Sequence, residues 1–315
     1  MKHVSLTGLA LCFLAVPVLG QDPRPDRPQF RVGVNTVSVA VTLFDKKGRL
    51  VTGLDEDNFT IFEDGVEQDI EFFAHRELPL KMVILLDVST SMRQKLPMAQ
   101  EAAIGFVGSL KPGDEVQVVE FGERVLTLVD FTSDFDDVAK AIRSTKVKGA
   151  TALYRALYVS IKDLEAYRRD ELDRRAVVVL SDGNDTISRL GFEDVKTQAR
   201  KSNVIIYAIS LRASRADLKK EKYRNAKYEL DMLARESAGN SYAPEKLKDL
   251  AGVYEEIATE LKSQYSLGYV STNNEHDGKW RRLQILTAAS GTVVRVREGY
   301  YAPRKSRLRR RRRRP

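Results

Sequence analysis

Asp87, Ser89 and Ser91 occupy alternate positions directly after the apolar run Val83-Ile84-Leu85-Leu86. Such a run reads as a buried parallel strand, because strands covered on both faces are apolar throughout. The triplet Asp-x-Ser-x-Ser therefore delivers one carboxylate and two hydroxyls to the carboxyl end of a strand. That edge is where open α/β sheets hold ligands. An all-oxygen donor set suits a hard divalent cation such as Mg2+. Taken alone, the triplet reads as an Asp/Ser helix cap following a strand. Two further stretches favour the metal. Lys148-Gly149-Ala150-Thr151-Ala152 places a threonine on a glycine-bearing loop just before a helix, and Val177-Val178-Val179-Leu180-Ser181-Asp182 ends a second buried strand in a carboxylate. Beyond it, Asn184, Asp185 and Ser188 read as a polar turn into the next helix, and Gly183 as a residue for close loop packing or positive φ.

The elements that must position these residues run from about Lys81 to Gln264, where strands and helices alternate as in a doubly wound, mostly parallel α/β fold. The pattern predicts strands at 82–87, 115–121, 125–129, 176–181, 204–210 and 241–242. It predicts helices at 97–110, 135–142, 152–167, 192–202, 228–237 and 247–261. The short link at Gly122-Glu123 leaves room only for a hairpin before the strand at 125–129, so that strand must return and form the single antiparallel edge. The charged stretch from Arg212 to Lys227 reads as a solvated insertion. On the amino side, residues 32–78 alternate as antiparallel strands, with turns at Asp45–Gly48 and Glu63-Asp64-Gly65, and an extended run at Arg49–Val51. On the carboxyl side, residues 265–303 return to strands at 265–270, 280–287 and 292–297. Each β segment is too small to bury a core alone, so the two are expected to pair as one small sandwich flanking the α/β domain of residues 79–264.

Residues 1–20 read as a signal peptide, with Lys2 and His3 before the apolar stretch Leu6–Leu19 and a compact Val18-Leu19-Gly20 at the cut. Residues 21–31 read as a proline-bearing linker. These features predict export to a periplasmic, cell-surface or secreted location, with no transmembrane span in the mature chain. The one cysteine, Cys12, falls inside the signal, so the mature chain has no disulfides. The formal charge is +8, yet Arg304, Lys305, Arg307 and Arg309–Arg314 alone carry nine positive charges, leaving the body near neutrality. Residues 304–315 thus form a low-complexity, disordered Arg-rich tail. The tail reads either as a weak solubilising extension or as a contact for an anionic polymer or lipid. Without interleaved aromatics it offers no stacking platform for nucleic acid, and no specific nucleic-acid partner is expected.

Few residues are available for catalysis. The histidines are His3, His75 and His276, which support no Ser-His-Asp arrangement. No P-loop sequence is present. Carboxylates such as Glu120 and Asp130 read as solvated or capping groups. Tyr265, Tyr269, Trp280, Tyr300 and Tyr301 read as packing of the β unit.

With Asp87-x-Ser89-x-Ser91, Thr151 and Asp182 on three successive sheet-edge loops, the chain resembles the von Willebrand factor A domain and its metal-ion-dependent adhesion site. That resemblance implies direct metal ligation by Ser89 and Ser91, ligation by Thr151 in the ligand-bound state, and action of Asp87 and Asp182 largely through coordinated water. The flanks extend it. Val51-Thr52-Gly53-Leu54, Asn58-Phe59, Phe62-Glu63-Asp64-Gly65, Tyr265–Tyr269, Asp277–Arg281 and Arg297–Tyr301 look like the VWFA-related domain proteins described from Acidobacteria. The implied function is a non-enzymatic, Mg2+- or Mn2+-dependent module that binds an Asp or Glu carboxylate of a protein partner. The alternatives are an accessory subunit recruiting substrate to a separate enzyme, and a polyanion-binding surface protein acting through the Arg tail.

Overall fold

The computed structural model describes residues 36–75, 78–167, 173–181, 185–211 and 221–304. The signal, the linker, the Arg run and Asp182 lie outside the described residues. In chain order the first strands are β1 (Thr36–Phe44), β2 (Phe59–Glu63), β3 (Val66–Gln68) and β4 (Ile70–His75). Next come β5 (Leu80–Asp87), α1 (Leu96–Val107), β6 (Glu115–Phe121), β7 (Val125–Thr132), α2 (Phe135–Ser144) and α3 (Leu153–Ala166). The layer is completed by β8 (Arg174–Ser181), α4 (Phe192–Lys201), β9 (Val204–Ser210), α5 (Glu221–Glu236), β10 (Ser241–Tyr242) and α6 (Leu250–Ser263). The chain then returns to strands in β11 (Tyr265–Val270), β12 (Trp280–Thr287), β13 (Val293–Arg295) and β14 (Gly299–Tyr301).

The central sheet has the order β10-β9-β8-β5-β6-β7, and every pair is parallel except β6 with β7. Alternation along β5 explains the two helical layers. Met82, Ile84 and Leu86 pack with α1, α2 and α6, whereas Val83 and Leu85 pack with α3, α4 and α5. All eight residues of β5 are buried, so the strand has no polar face to spare until its carboxyl end. Helix α2 begins where the Asp134 side chain accepts from the Asp136 and Asp137 N–H groups at 3.1 Å each, a cap that satisfies donors the helix cannot.

The strands from the two ends of the chain interleave. One antiparallel sheet has the order β13-β1-β11-β4 and the other β14-β12-β2-β3. Val37, Val39, Val41 and Leu43 of the first face Phe59, Ile61, Leu283 and Ile285 of the second across one core. The expected sandwich therefore forms by direct pairing of the two segments. At its centre the buried Glu63 accepts from the Tyr269 hydroxyl at 2.6 Å, the Tyr300 hydroxyl at 2.8 Å and Ser271 Oγ at 2.7 Å. Burial and this carboxylate raise both phenols, Tyr300 to about 12. Tyr265 and Tyr269 are fully buried, and Trp280 meets Tyr301 edge-on, in line with a packing role.

Two expectations need correction, at 212–227 and at Glu120. The stretch at 212–227 is not simply a solvated insertion: from Glu221 it is the first part of α5, and Tyr223 and Ala226 are buried on its inner face. The extended run at Arg49–Val51 is found, and it folds back on the end of β1 through the bridge of Phe44 with Leu50 and the Val51 N–H bond to the Leu43 carbonyl at 2.9 Å. Strands β3 and β14 were not predicted, because three-residue strands show too little alternation to register. Glu120 is buried rather than solvated, and it pairs with the Lys148 ammonium. The loops fold closely over the strand ends and take Glu120 out of solvent.

Candidate metal centre

The site starts where β5 runs out. Asp87 is wholly buried, and the chain turns at once: Ser89 is extended and Thr90–Met92 form one 3-10 turn ahead of α1. Asp87 Oδ1 accepts the Ser89 N–H at 2.8 Å, and Oδ2 accepts the hydroxyl of Ser181, at the end of neighbouring β8, at 2.6 Å. A buried carboxylate needs such donors to stay in place. In front of it, Ser89 Oγ and Ser91 Oγ lie 3.0 Å apart, Ser89 buried and Ser91 exposed. That spacing suits a hydroxyl–hydroxyl hydrogen bond. It equally suits two adjacent donors on an octahedral cation, which lie about 2.9 Å apart when bonds are about 2.0–2.1 Å.

The loop carrying Thr151 is lashed to this turn. Thr90 donates through N–H and Oγ1 to the Gly149 carbonyl at 3.0 and 3.1 Å, and Ala152 N–H donates to the Gly122 carbonyl at 3.0 Å. Gly122 is required by close approach. A Cβ there would meet the Lys148 carbonyl at 2.8 Å and Val88 Cγ2 at 3.2 Å. Gly149 is required by conformation, with φ of +37°.

A third loop fixes Thr151 from the other side. Thr151 N–H donates to Thr186 Oγ1 at 2.9 Å, and Thr186 N–H returns to the Thr151 carbonyl at 2.9 Å. Helix α3 follows immediately, and its own N-cap residue, Ala152, supplies no side-chain acceptor. Asp185 and Ser188 do so instead: Asp185 Oδ2 accepts from Tyr154 N–H at 2.8 Å, and Ser188 Oγ accepts from Arg155 N–H at 3.1 Å. The polar-turn reading of Asp185 and Ser188 is thus extended to a cap for a helix over 30 residues away. Further along α3, the Tyr154 hydroxyl donates to Glu229 of α5, and burial together with that carboxylate raises its pKa.

Asp87, Ser89, Ser91 and Thr151 accordingly sit on strand-end loops bonded to one another at the carboxyl edge of the sheet. Sequence reasoning missed Ser181, Thr186 and the capping role of Asp185 and Ser188. Their signal is faint, since each is a small polar residue in a turn. Among the described residues no group of three or more His, Cys, Asp or Glu side chains is gathered to hold a metal; the polar groups shown at this edge are the Ser89 and Ser91 hydroxyls in front of the Asp87 carboxylate. The donor chemistry present fits a hard cation: neutral hydroxyls in front, one fixed carboxylate behind.

Residues 82–184, which span this arrangement from β5 to the third loop, match the von Willebrand factor type A domain family. The chain carries a von Willebrand factor A domain. Around it, similarity extends to a UPF0353 protein of Mycobacterium leprae, 25% identical over 256 residues that cover 75% of this chain and 74% of that one. A UPF0353 protein of Mycobacterium tuberculosis is 24% identical with the same coverage. Among solved structures, the von Willebrand factor type A protein from Catenulispora acidiphila aligns with a TM-score of 0.51 at 13% identity, covering 88% of this chain and 76% of its own. Proximal thread matrix protein 1 from the mussel byssus, with a zinc-occupied MIDAS motif, aligns with a TM-score of 0.51 at 19% identity, covering 63% and 49%. These likenesses establish the A-domain fold. Among the described residues no helix is long and apolar enough to cross a membrane.

Proposed function

We propose that the protein is an exported, non-enzymatic binding module whose A domain holds Mg2+ or Mn2+ and engages a carboxylate of a protein partner. Ser89, Ser91 and Thr151 would hold the ion directly, with Asp87 and Asp182 behind them. The observation that carries this reading is the pair of hydroxyls 3.0 Å apart in front of a buried carboxylate. Bound there, the cation would supply a strongly electrophilic position, because neutral hydroxyls quench little of its charge. The residues do the positioning. Ser181 and the Ser89 N–H hold Asp87 as a fixed acceptor set. Thr90 and Thr186 hold the Thr151 loop from its two sides. The signal-like residues 1–20 support export.

The test is calorimetric titration of Mg2+ and Mn2+ into the full chain and into Asp87→Asn, which keeps the shape of the side chain. The expected result is saturable binding by the wild type and its loss in a variant with an unchanged circular dichroism spectrum. An immobilised acidic peptide should then be retained in Mg2+ and released by chelator. Wild-type metal affinity in folded Asp87→Asn would overturn the assignment.

A further inference from the structure

The sheet edge that carries the candidate metal residues also carries unpaired positive charge. Arg93 follows Ser91 by two residues. Arg124 lies in the hairpin between β6 and β7, where its carbonyl accepts the Gly122 N–H at 3.1 Å. Arg155 stands one helical turn after Thr151, in the first turn of α3. Its N–H donates to Ser188 Oγ at 3.1 Å, and Arg189 is the residue that follows that serine. Each of the segments that meet at this edge thus contributes one arginine. The bonds of Thr90 to Gly149, Ala152 to Gly122 and Thr151 to Thr186 tie those segments into one rim.

All four arginines are exposed, and none makes a hydrogen bond or ion pair through its guanidinium among the described residues. Lys148 is not counted with them, since its ammonium pairs with the buried Glu120. The acids of these loops do not offset this charge. Asp87 is buried and holds the Ser89 N–H and the Ser181 hydroxyl, and with Asp182 it would face the cation. Asp185 accepts the Tyr154 and Ser188 N–H groups, each at 2.8 Å. That leaves Glu123, whose carboxylate lies against Gly149, as the exposed acid among the described residues of these loops. Outside the Arg tail the chain is near neutral, so the rim is a local excess of charge. Ile187, on the same loop as Arg189, is 47% exposed and adds an apolar contact. Exposed cations around a position that takes one carboxylate match a partner segment bearing several.

We propose that this rim selects an acidic peptide segment, one carboxylate on the cation and its neighbours on Arg93, Arg124, Arg155 and Arg189; the proposal rests on the metal reading of the same edge. Two end-blocked peptides, Glu-Glu-Asp-Glu-Glu and Ser-Gly-Asp-Gly-Ser, are titrated into the full chain in Mg2+ at low salt. The first should bind about tenfold tighter, the product of a few exposed pairs worth about twofold each. That advantage should shrink in about 0.5 M salt. The double variant Arg124→Glu, Arg189→Glu should lose the advantage and bind Lys-Lys-Asp-Lys-Lys better than the wild type does, with its fold checked by circular dichroism. Equal affinity of the wild type for the two acidic peptides would overturn the proposal. So would a full advantage kept by the variant, which would assign the peptide to the Arg-rich tail. Mg2+ titrated alone reads the metal separately: no binding sinks the metal reading, and the same peptide comparison in chelator then decides the rim.

Discussion

Replacing Gly122 by alanine adds one methyl group where three loops meet, and its effect can be worked out in advance. The added carbon would stand 2.8 Å from the Lys148 carbonyl, 3.2 Å from Val88 Cγ2 and 3.4 Å from the Ala150 carbonyl. Two of those neighbours are backbone, so relief requires the 148–151 loop to move. Overpacking of this kind costs about 1–3 kcal/mol. The loss of chain entropy in the unfolded state returns about 0.4–1 kcal/mol, since the backbone at this site accepts alanine. The net expectation is a loss of about 1–2 kcal/mol, or a melting temperature lower by about 2–5 °C for a chain of this size. Gly105 in α1 is the control, because a Cβ there meets nothing within 4 Å. Gly105→Ala should gain about 0.5–1 kcal/mol from helix propensity alone. Differential scanning calorimetry of both variants reads the contrast. A Gly122→Ala protein that melts at or above the wild type would refute the close-approach argument.

Other perturbations test the scaffold around the site. Asp185→Ala removes the acceptor for Tyr154 N–H and should cost about 1 kcal/mol, the usual worth of a helix cap, read by thermal melting. Arg295 makes a two-pronged contact with the buried Glu260 at 2.8 and 2.9 Å, and Glu260 also accepts from the Tyr207 hydroxyl at 2.9 Å. Arg295→Ala leaves that acid without its cation and should cost about 3 kcal/mol in urea denaturation. Tyr242 and Tyr300 are both raised from 10.0 to about 12. The unfolded chain loses these protons first, so their contribution is whole below pH 10 and is lost as pH rises toward 12. Melting followed from pH 9 to 12 should show this decline, and Tyr300→Phe should flatten part of it.

The metal-edge residues on β5 were legible because Val83–Leu86 is apolar on both faces and polarity begins abruptly at Asp87. The antiparallel edge was legible because Gly122-Glu123 leaves room for nothing but a hairpin. What escaped is long-range. Ser181 serves Asp87 across 94 residues, and Thr186 serves Thr151 across 35. No local pattern separates a serine that positions a carboxylate from one that merely ends a strand. Charge misled at α5, where Lys and Glu residues on the outer face hid Tyr223 and Ala226 on the inner one. The same bias hid the burial of Glu120, whose partner Lys148 lies 28 residues on. Pairing of the two β segments was foreseen from their size, but the division of their strands between two sheets was not.

That interleaving sets the order in which the protein can form. Strand β11 lies between β1 and β4, and the Leu54 N–H finds its acceptor on Tyr265, 211 residues later. During synthesis the first four strands therefore wait, unpaired at the edge that matters, until the whole α/β layer has emerged. Contacts of such high sequence separation are slow to close, and a waiting edge invites pairing with another chain. A strand made only after the α/β layer is thus the part that ends this exposure. Loss of β11 through premature termination should yield aggregates rather than a smaller soluble protein.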